Sequence, residues 1–266
     1  MKITHEFYPE GKRKALTFSY DDGQIYDRKL VQIFNNYGLR GTFHLVSGSL
    51  DQEIFVKAEE IAALYKEHEI SVHTLNHYHL SMVSRETFIE EILADKKNLE
   101  TLCRYPVRGM SYPFGDYNEK IVSALPLLGI EYSRTVQSHG RFTLPENFLV
   151  WHPTCHHNDQ LMDKLDAFNN TLSWDFMPLF YVWGHSFEFE RQDNWHLIEE
   201  FCKKAGGKND VWYATNIEIK DYVTALRSIK YDVSQTLAYN PSAIPIWIGV
   251  NSQPVCLRPG VVTILE

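Results

Sequence analysis

Two acidic residues close an apolar run, and two histidines lie four residues apart in a different segment. In KALTFSYDDG (14–23) side chains alternate along an extended chain, so Asp21 and Asp22 point in different directions. One can ligate a metal while the other stays free as a base. In HTLNH (73–77) the spacing of His73 and His77 predicts one helical turn, which would bring both imidazoles to one side of a cation. His79 leaves open which histidines take part. Each piece alone is commonplace: an acid pair also suits a loop or a helix cap, and HxxxH pairs are often incidental. Together they offer two imidazoles and a carboxylate, a set that leaves coordination positions open as a catalytic site requires. A divalent ion so held lowers the pKa of a water towards roughly 7 and polarises a carbonyl. Zinc is the default, and Co, Mn, Ni or Fe also suit these ligands.

Such residues need a scaffold that delivers them to one place. Strand-like runs at 14–20, 41–46, 70–73, 107–112, 130–136, 148–152, 179–185 and 211–215 alternate with helical patterns at 26–37, 57–68, 85–103, 118–128, 159–174, 191–205 and 218–229. Ser84 reads as the N-cap of the long third helix. Leu161, Leu165, Phe168 and Leu172 form an apolar face on the fifth. Repeated strand–helix alternation implies a parallel sheet, and seven or eight units imply closure into a deformed (β/α)7–8 barrel. Residues 1–230 form that unit. Residues 231–266, with short β runs broken by Pro and Gly, read as a small β appendage packed on it.

In a parallel barrel, chemistry gathers where strands end. Asp21 and Asp22, His73, Tyr112 with Pro113-Phe114-Gly115, Arg134, His152 and His185 all fall at predicted strand ends, too many for a purely structural barrel. His152 and Trp183 are candidate substrate contacts, although a Trp at a strand end, such as Trp151 or Trp183, is more often core. His156 and His157 read as solvated loop residues, a second metal there is not expected, and Glu188 is either a neighbour of His185 or an ordinary loop acid.

TFSYDDG (17–23), SVHTLNH (71–77), SYPFG (111–115) and VWGH (182–185) resemble, in order, the motifs of the polysaccharide deacetylases, carbohydrate esterase family four with its NodB-homology domain. The resemblance spans residues 15 to about 225. It implies a metal-dependent hydrolase of non-peptide C–N bonds, with Asp22, His73 and His77 as metal ligands, Asp21 as the general base, the Tyr112 backbone N–H as an oxyanion donor and His185 as the general acid. The chain departs from the pattern in four places. Gln24 follows DDG in place of Pro. Ser111 stands where the third motif, Arg-Pro-Pro-Tyr-Gly, has the Arg that orients the base; Arg108 and Arg134 are candidates for that task, with Arg134 preferred for its place near a strand end. The fourth motif is not recognisable, and Trp183-Gly184 precedes the last histidine.

The totals set limits. The 266 residues are 44% apolar and 14% aromatic, enough for a large core, and the formal charge of −8 argues against nucleic acid or an anionic membrane as a partner. No run approaches the roughly 20 apolar residues of a membrane helix. With no secretory pattern at the N-terminus and four widely spaced cysteines read as free thiols, the expected location is cytoplasmic. The expected substrate is an N-acetylated sugar, from which the acetyl group is removed. A non-sugar small amide hydrolysed on the same fold, and a non-catalytic carbohydrate-binding metalloprotein, are the alternatives. A homo-oligomer stays open.

Overall fold

A computed structural model describes residues 1–171 and 176–265. In chain order its elements are β1 (Ile3–Thr4), β2 (Lys14–Asp22), α1 (Asp27–Asn36), β3 (Thr42–Leu45), α2 (Ile61–Leu64), β4 (Glu69–Val72), α3 (Arg85–Cys103), β5 (Gly109–Ser111), α4 (Glu119–Ala124), β6 (Tyr132–Arg134), β7 (Cys155–His156), α5 (Leu161–Asn169), β8 (Leu179–His185), α6 (Ser186–Arg191), α7 (Trp195–Ala205), β9 (Val211–Tyr213) and α8 (Asn216–Arg227). Five short strands follow: β10 (Lys230–Tyr231), β11 (Leu237–Tyr239), β12 (Ile246–Val250), β13 (Gln253–Leu257) and β14 (Val262–Ile264).

The strands run in the order β6-β5-β4-β3-β2-β8-β7, all parallel, with β9 paired to the early residues of β2. This is the deformed α/β barrel expected from the alternation. β2 is its spine, buried along most of its length because both faces are covered. The ring closes irregularly between β6 and β8. Trp151 pairs with β6, its N–H donating to Ser133 O at 2.9 Å, and four residues later Cys155 pairs with Val182 of β8. The strand expected at 148–152 is therefore a single 3-10 turn at Phe148–Val150, and the true strand comes later. Pro153 has no N–H to give a ladder, which breaks the extended run in two.

Helix α3 matches its expected bounds, and the Ser84 hydroxyl accepts from Thr87 N–H at 3.2 Å as its cap. The helix expected at 191–205 is α7, which starts at Trp195; the short α6 precedes it. The helix expected over 159–174 ends at Asn169, and Leu172 lies outside the described residues. Residues 230–264 form two three-stranded antiparallel sheets, β10-β11-β14 and β1-β12-β13, so the appendage also takes in Ile3–Thr4 from the opposite end of the chain. The four cysteines are unpaired. Among the described residues no helix is long and apolar enough to cross a membrane.

Beneath the site the barrel encloses Glu69, whose carboxyl accepts from Tyr132 Oη at 2.7 Å, Thr42 Oγ1 at 2.9 Å and Ile217 N–H at 2.9 Å. Burial, against these hydrogen bonds, pushes its pKa from 4.5 up to about 7. The folded protein thus keeps a proton that the unfolded chain sheds above pH 4.5, so stability falls as pH rises from 4.5 to about 7. Urea unfolding at pH 4.5 and pH 7 should show a loss of about 3 kcal/mol in the wild type beyond any loss in Glu69→Gln. Equal losses in the two proteins would show that Glu69 is ionised throughout.

Candidate metal centre and active site

β2 ends in a conformation that separates its two acids. Asp21 keeps to the strand and turns inward, 3% exposed, whereas Asp22 takes φ 81° and turns towards the rim. Opposite, the loop after β4 brings in the histidines. It is not the helical turn that the spacing predicts. Thr74 (φ 67°) and His77 (φ 57°) are both left-handed, and these two reversals, not a helix, swing His77 back over His73. A left-handed β-branched residue is a costly conformation that the surroundings must impose. Here α3 imposes it. Asp95 accepts from His73 N–H at 3.0 Å and Ser47 N–H at 2.8 Å. One turn earlier Glu91 accepts from Asn76 N–H at 2.8 Å and Asn76 Nδ2 at 2.6 Å.

The result is a compact donor set. Asp22 Oδ1 is 3.7 Å from His73 Nε2 and 3.7 Å from His77 Nε2, and the two imidazole nitrogens are 3.1 Å apart. Donors so spaced, with metal–ligand bonds of about 2.0–2.2 Å, can share one cation. The outer contacts agree. His73 Nδ1 lies 2.7 Å from Ser111 Oγ and 3.0 Å from Ser111 O, so it carries the proton and leaves Nε2 as a ligand. His79 is not in the set; its ring stacks on Phe114 at 3.8 Å.

Asp21 sits behind this set, its Oδ2 3.8 Å from His73 Nε2. Ser111 Oγ donates to Asp21 Oδ1 at 3.0 Å, and Arg134 Nη2 donates to Asp21 Oδ2. Arg134 is itself fully buried: its Nε donates to Ser19 Oγ at 3.0 Å and its Nη1 to Thr135 O at 3.3 Å, and Trp183 covers the guanidinium at 4.5 Å. Burial would raise the Asp21 carboxyl, but Arg134, with His73 after it, outweighs burial and holds it well below the usual carboxylate range. The preferred arginine of the two candidates is the one that reaches Asp21; Arg108 instead pairs with Asp221 and Glu131 away from it. Ser111 and Arg134 are register partners on β5 and β6.

His185 stands opposite Asp21 in the β2–β8 register, and its Nδ1 faces Glu188 Oε1 at 3.6 Å. Three expectations change. The Tyr112 N–H donates to Arg134 O at 3.1 Å as part of the sheet, so it is not available to an oxyanion. The Tyr112 side chain is also fully buried, with its hydroxyl on Leu149 O, which removes it as a substrate contact. The residue of SYPFG that does reach the rim is Phe114, left-handed at φ 58°, 56% exposed and 4.4 Å from the His77 ring. Its place at the fourth position of the motif, where the family pattern has Tyr, was the available signal. His152 is half-buried, with Nδ1 2.6 Å from Thr135 Oγ1, and lines a cavity of about 470 Å3 with His139, Arg141 and Asn147; none of the metal-set residues lines it. Trp151 is core, while Trp183 is half-buried over Arg134. His157, read as solvated, is fully buried.

Residues 9–133 match the family model described as polysaccharide deacetylase. The match covers 125 of the 266 residues, just under half of the chain. A stretch of 140 residues is 24% identical to the putative polysaccharide deacetylase YxkH of Bacillus subtilis strain 168, covering 52% of this chain and 49% of that protein. The chain thus spans about half the length of this curated relative. Among solved structures, a putative polysaccharide deacetylase from Mycobacterium smegmatis superposes with a TM-score of 0.63 at 17% identity, over 85% of this chain and 96% of that one. PuuE allantoinase superposes with a TM-score of 0.64 at 14% identity, over 81% and 92%. Both likenesses cover more than four-fifths of this chain, so the shared fold extends well past residue 133.

The Asp21–Arg134 pair is buried deeply enough to test directly. Arg134→Met strands a buried carboxylate and should cost roughly 3–5 kcal/mol in urea unfolding. Adding Asp21→Asn should recover most of that loss. Additive costs in the double variant would mean that the two side chains are not energetically coupled.

Proposed function

We propose that the protein is a metal-dependent N-deacetylase that hydrolyses an acetamide on a sugar. The observation that carries this reading is a buried carboxylate, Asp21, held by Arg134 and Ser111 beside three converging metal donors but not among them. A non-catalytic binder has no use for such a group.

Asp22, His73 and His77 would hold the cation. When bound, it would polarise the scissile carbonyl and acidify water. Asp21, unprotonated across the working pH range, takes the proton from the attacking water. His185, its register partner across β2–β8, gives a proton to the leaving nitrogen as the C–N bond breaks, so that amide and water become amine and acetate. The oxyanion donor is assigned to the backbone N–H of Phe114, since that of Tyr112 is spent on the sheet. Phe114 and Trp183 offer the aromatic faces on which a sugar ring would stack.

The match of residues 9–133 to a family described by polysaccharide deacetylation favours the sugar. The altered third motif, and a fold shared with an allantoinase, keep a non-sugar amide as the second reading. Zinc is the proposed metal by donor type, with Co, Mn, Ni or Fe as substitutes. Acetate release should be measured on N-acetylglucosamine oligomers and on small linear and cyclic amides, with and without chelator. Release from the oligomers, lost with chelator and restored by metal, is the expected outcome; turnover of the small amides alone would select the second reading. Asp21→Asn should lower turnover by about 10²–10⁴-fold with metal content retained. Phe114→Ala should raise KM, whereas Tyr112→Phe should leave it unchanged.

A further inference from the structure

A second group of donors lies next to the candidate acid. The last residue of β7 and the turn after it supply His156 and His157, and the first turn of α6 supplies Glu188. Glu188 Oε2 is 3.0 Å from His156 Nε2 and 3.1 Å from His157 Nε2. It shares no residue with Asp22, His73 and His77, and these are the two such groups among the described residues.

These separations suit hydrogen bonds, yet the orientation of His157 does not. Both of its ring nitrogens are fully buried and neither makes a hydrogen bond among the described residues, so Nε2 is close to the carboxylate oxygen without being hydrogen-bonded to it. The ring cannot turn to improve the contact. It is held between Tyr20 (centroids 5.8 Å apart, planes 13° apart) and Phe189 (4.1 Å, 27°), and its backbone N–H is tied to Trp183 O at 2.9 Å. Space for its far edge exists because residue 184 is glycine; a Cβ there would lie 2.0 Å from His157 Nδ1. Glu188 Oε2 is already occupied by His185 N–H at 3.3 Å, the cap of α6. A buried imidazole nitrogen at 3.1 Å from a carboxylate oxygen, aimed beside it and not at it, is what two ligands of one ion look like. A hydrogen bond would align the two.

We propose that His156, His157 and Glu188 form a second divalent-cation site, selective for ions that accept two imidazoles and a carboxylate, such as zinc or cobalt. It would pin β7 to the start of α6 and fix Glu188 against His185, the N-cap of that helix. The proposal does not depend on the deacetylase reading, because it concerns different ligands and is read by stoichiometry.

The test is equilibrium dialysis of the chelator-stripped full chain against Zn2+, paralleled by Co2+ absorbance. The wild type should take up two equivalents. His77→Ala should keep one, His156→Ala should keep one, and the double variant none. His156 is only half-buried, so its removal should not unfold the protein; circular dichroism checks this, and Glu188→Gln provides an independent deletion that should also keep one. One equivalent in the wild type, abolished by His77→Ala, would overturn the proposal. So would a second equivalent that survives both His156→Ala and Glu188→Gln, or one that shows the thiolate charge-transfer band of a cysteine ligand in the Co2+ spectrum. Failure of acetate release with two equivalents bound would count against the deacetylase reading alone.

Discussion

The buried pair of Asp21 and Arg134 constrains everything around it. A carboxylate taken out of water needs its charge and its lone pairs answered, or it takes up a proton instead. Here every group is answered: Arg134 and Ser111 on the two oxygens, and Ser19, Thr135 O and the Trp183 ring on the guanidinium. The cost of desolvating both ions is offset only while that set is complete. Four strands contribute to it, since Ser19 and Asp21 lie on β2, Ser111 on β5, Arg134 on β6 and Trp183 on β8. The barrel must therefore close to within hydrogen-bonding distance across its interior before the site exists. The irregular closure through Trp151 and Cys155 is the means by which a seven-strand ring does so.

The second constraint is backbone strain at the site. Asp22, Thr74, His77 and Phe114 are all left-handed without being glycine, and all border the donor set. Such conformations persist only when neighbours over-determine them. Glu91 and Asp95, one turn apart on α3, do this for the histidine loop through three hydrogen bonds, two of them from backbone N–H groups, while Asp95 also accepts from Ser47 N–H. The hydrophobic face of α3 packs its helix on the barrel, and its buried acids shape the loop. One element thus links ordinary core packing to the positions of two imidazoles.

Much of this could be read from the residues alone, and the failures have specific causes. The acid pair, the two histidines and the terminal histidine of β8 declared themselves because strand ends in a barrel converge. Arg134 could be chosen over Arg108 by the same argument. What failed was local geometry. The four-residue spacing of His73 and His77 suggested a helix, whereas tertiary anchoring to α3 produced a loop with reversals that no local propensity favours. The motif SYPFG points to Tyr112 as the rim residue, but the sheet continues to the N–H of Tyr112, and the chain turns outward only at Phe114. His157 looked solvated among polar neighbours; only the fold shows Tyr20, Phe189 and Gly184 enclosing it. Burial of a loop residue is a long-range property, and neighbouring sequence carries little of it.

Ser111 and Arg134 show why a departure from the family pattern need not dismantle a site. The pattern places an arginine on β5; this chain has serine there and an arginine at its register partner on β6. Paired strands lie about 4.8 Å apart, and an arginine is long enough to reach the same carboxylate from the neighbouring strand. A serine at 111 leaves the space that the guanidinium crosses, and its hydroxyl takes over the second oxygen of Asp21 and the Nδ1 proton of His73. An arginine at both positions would put two cations on one buried carboxylate, and the second would be unpaired at a cost of several kcal/mol. The two identities are therefore coupled: serine on β5 is tolerated because arginine is on β6, and each accounts for the other.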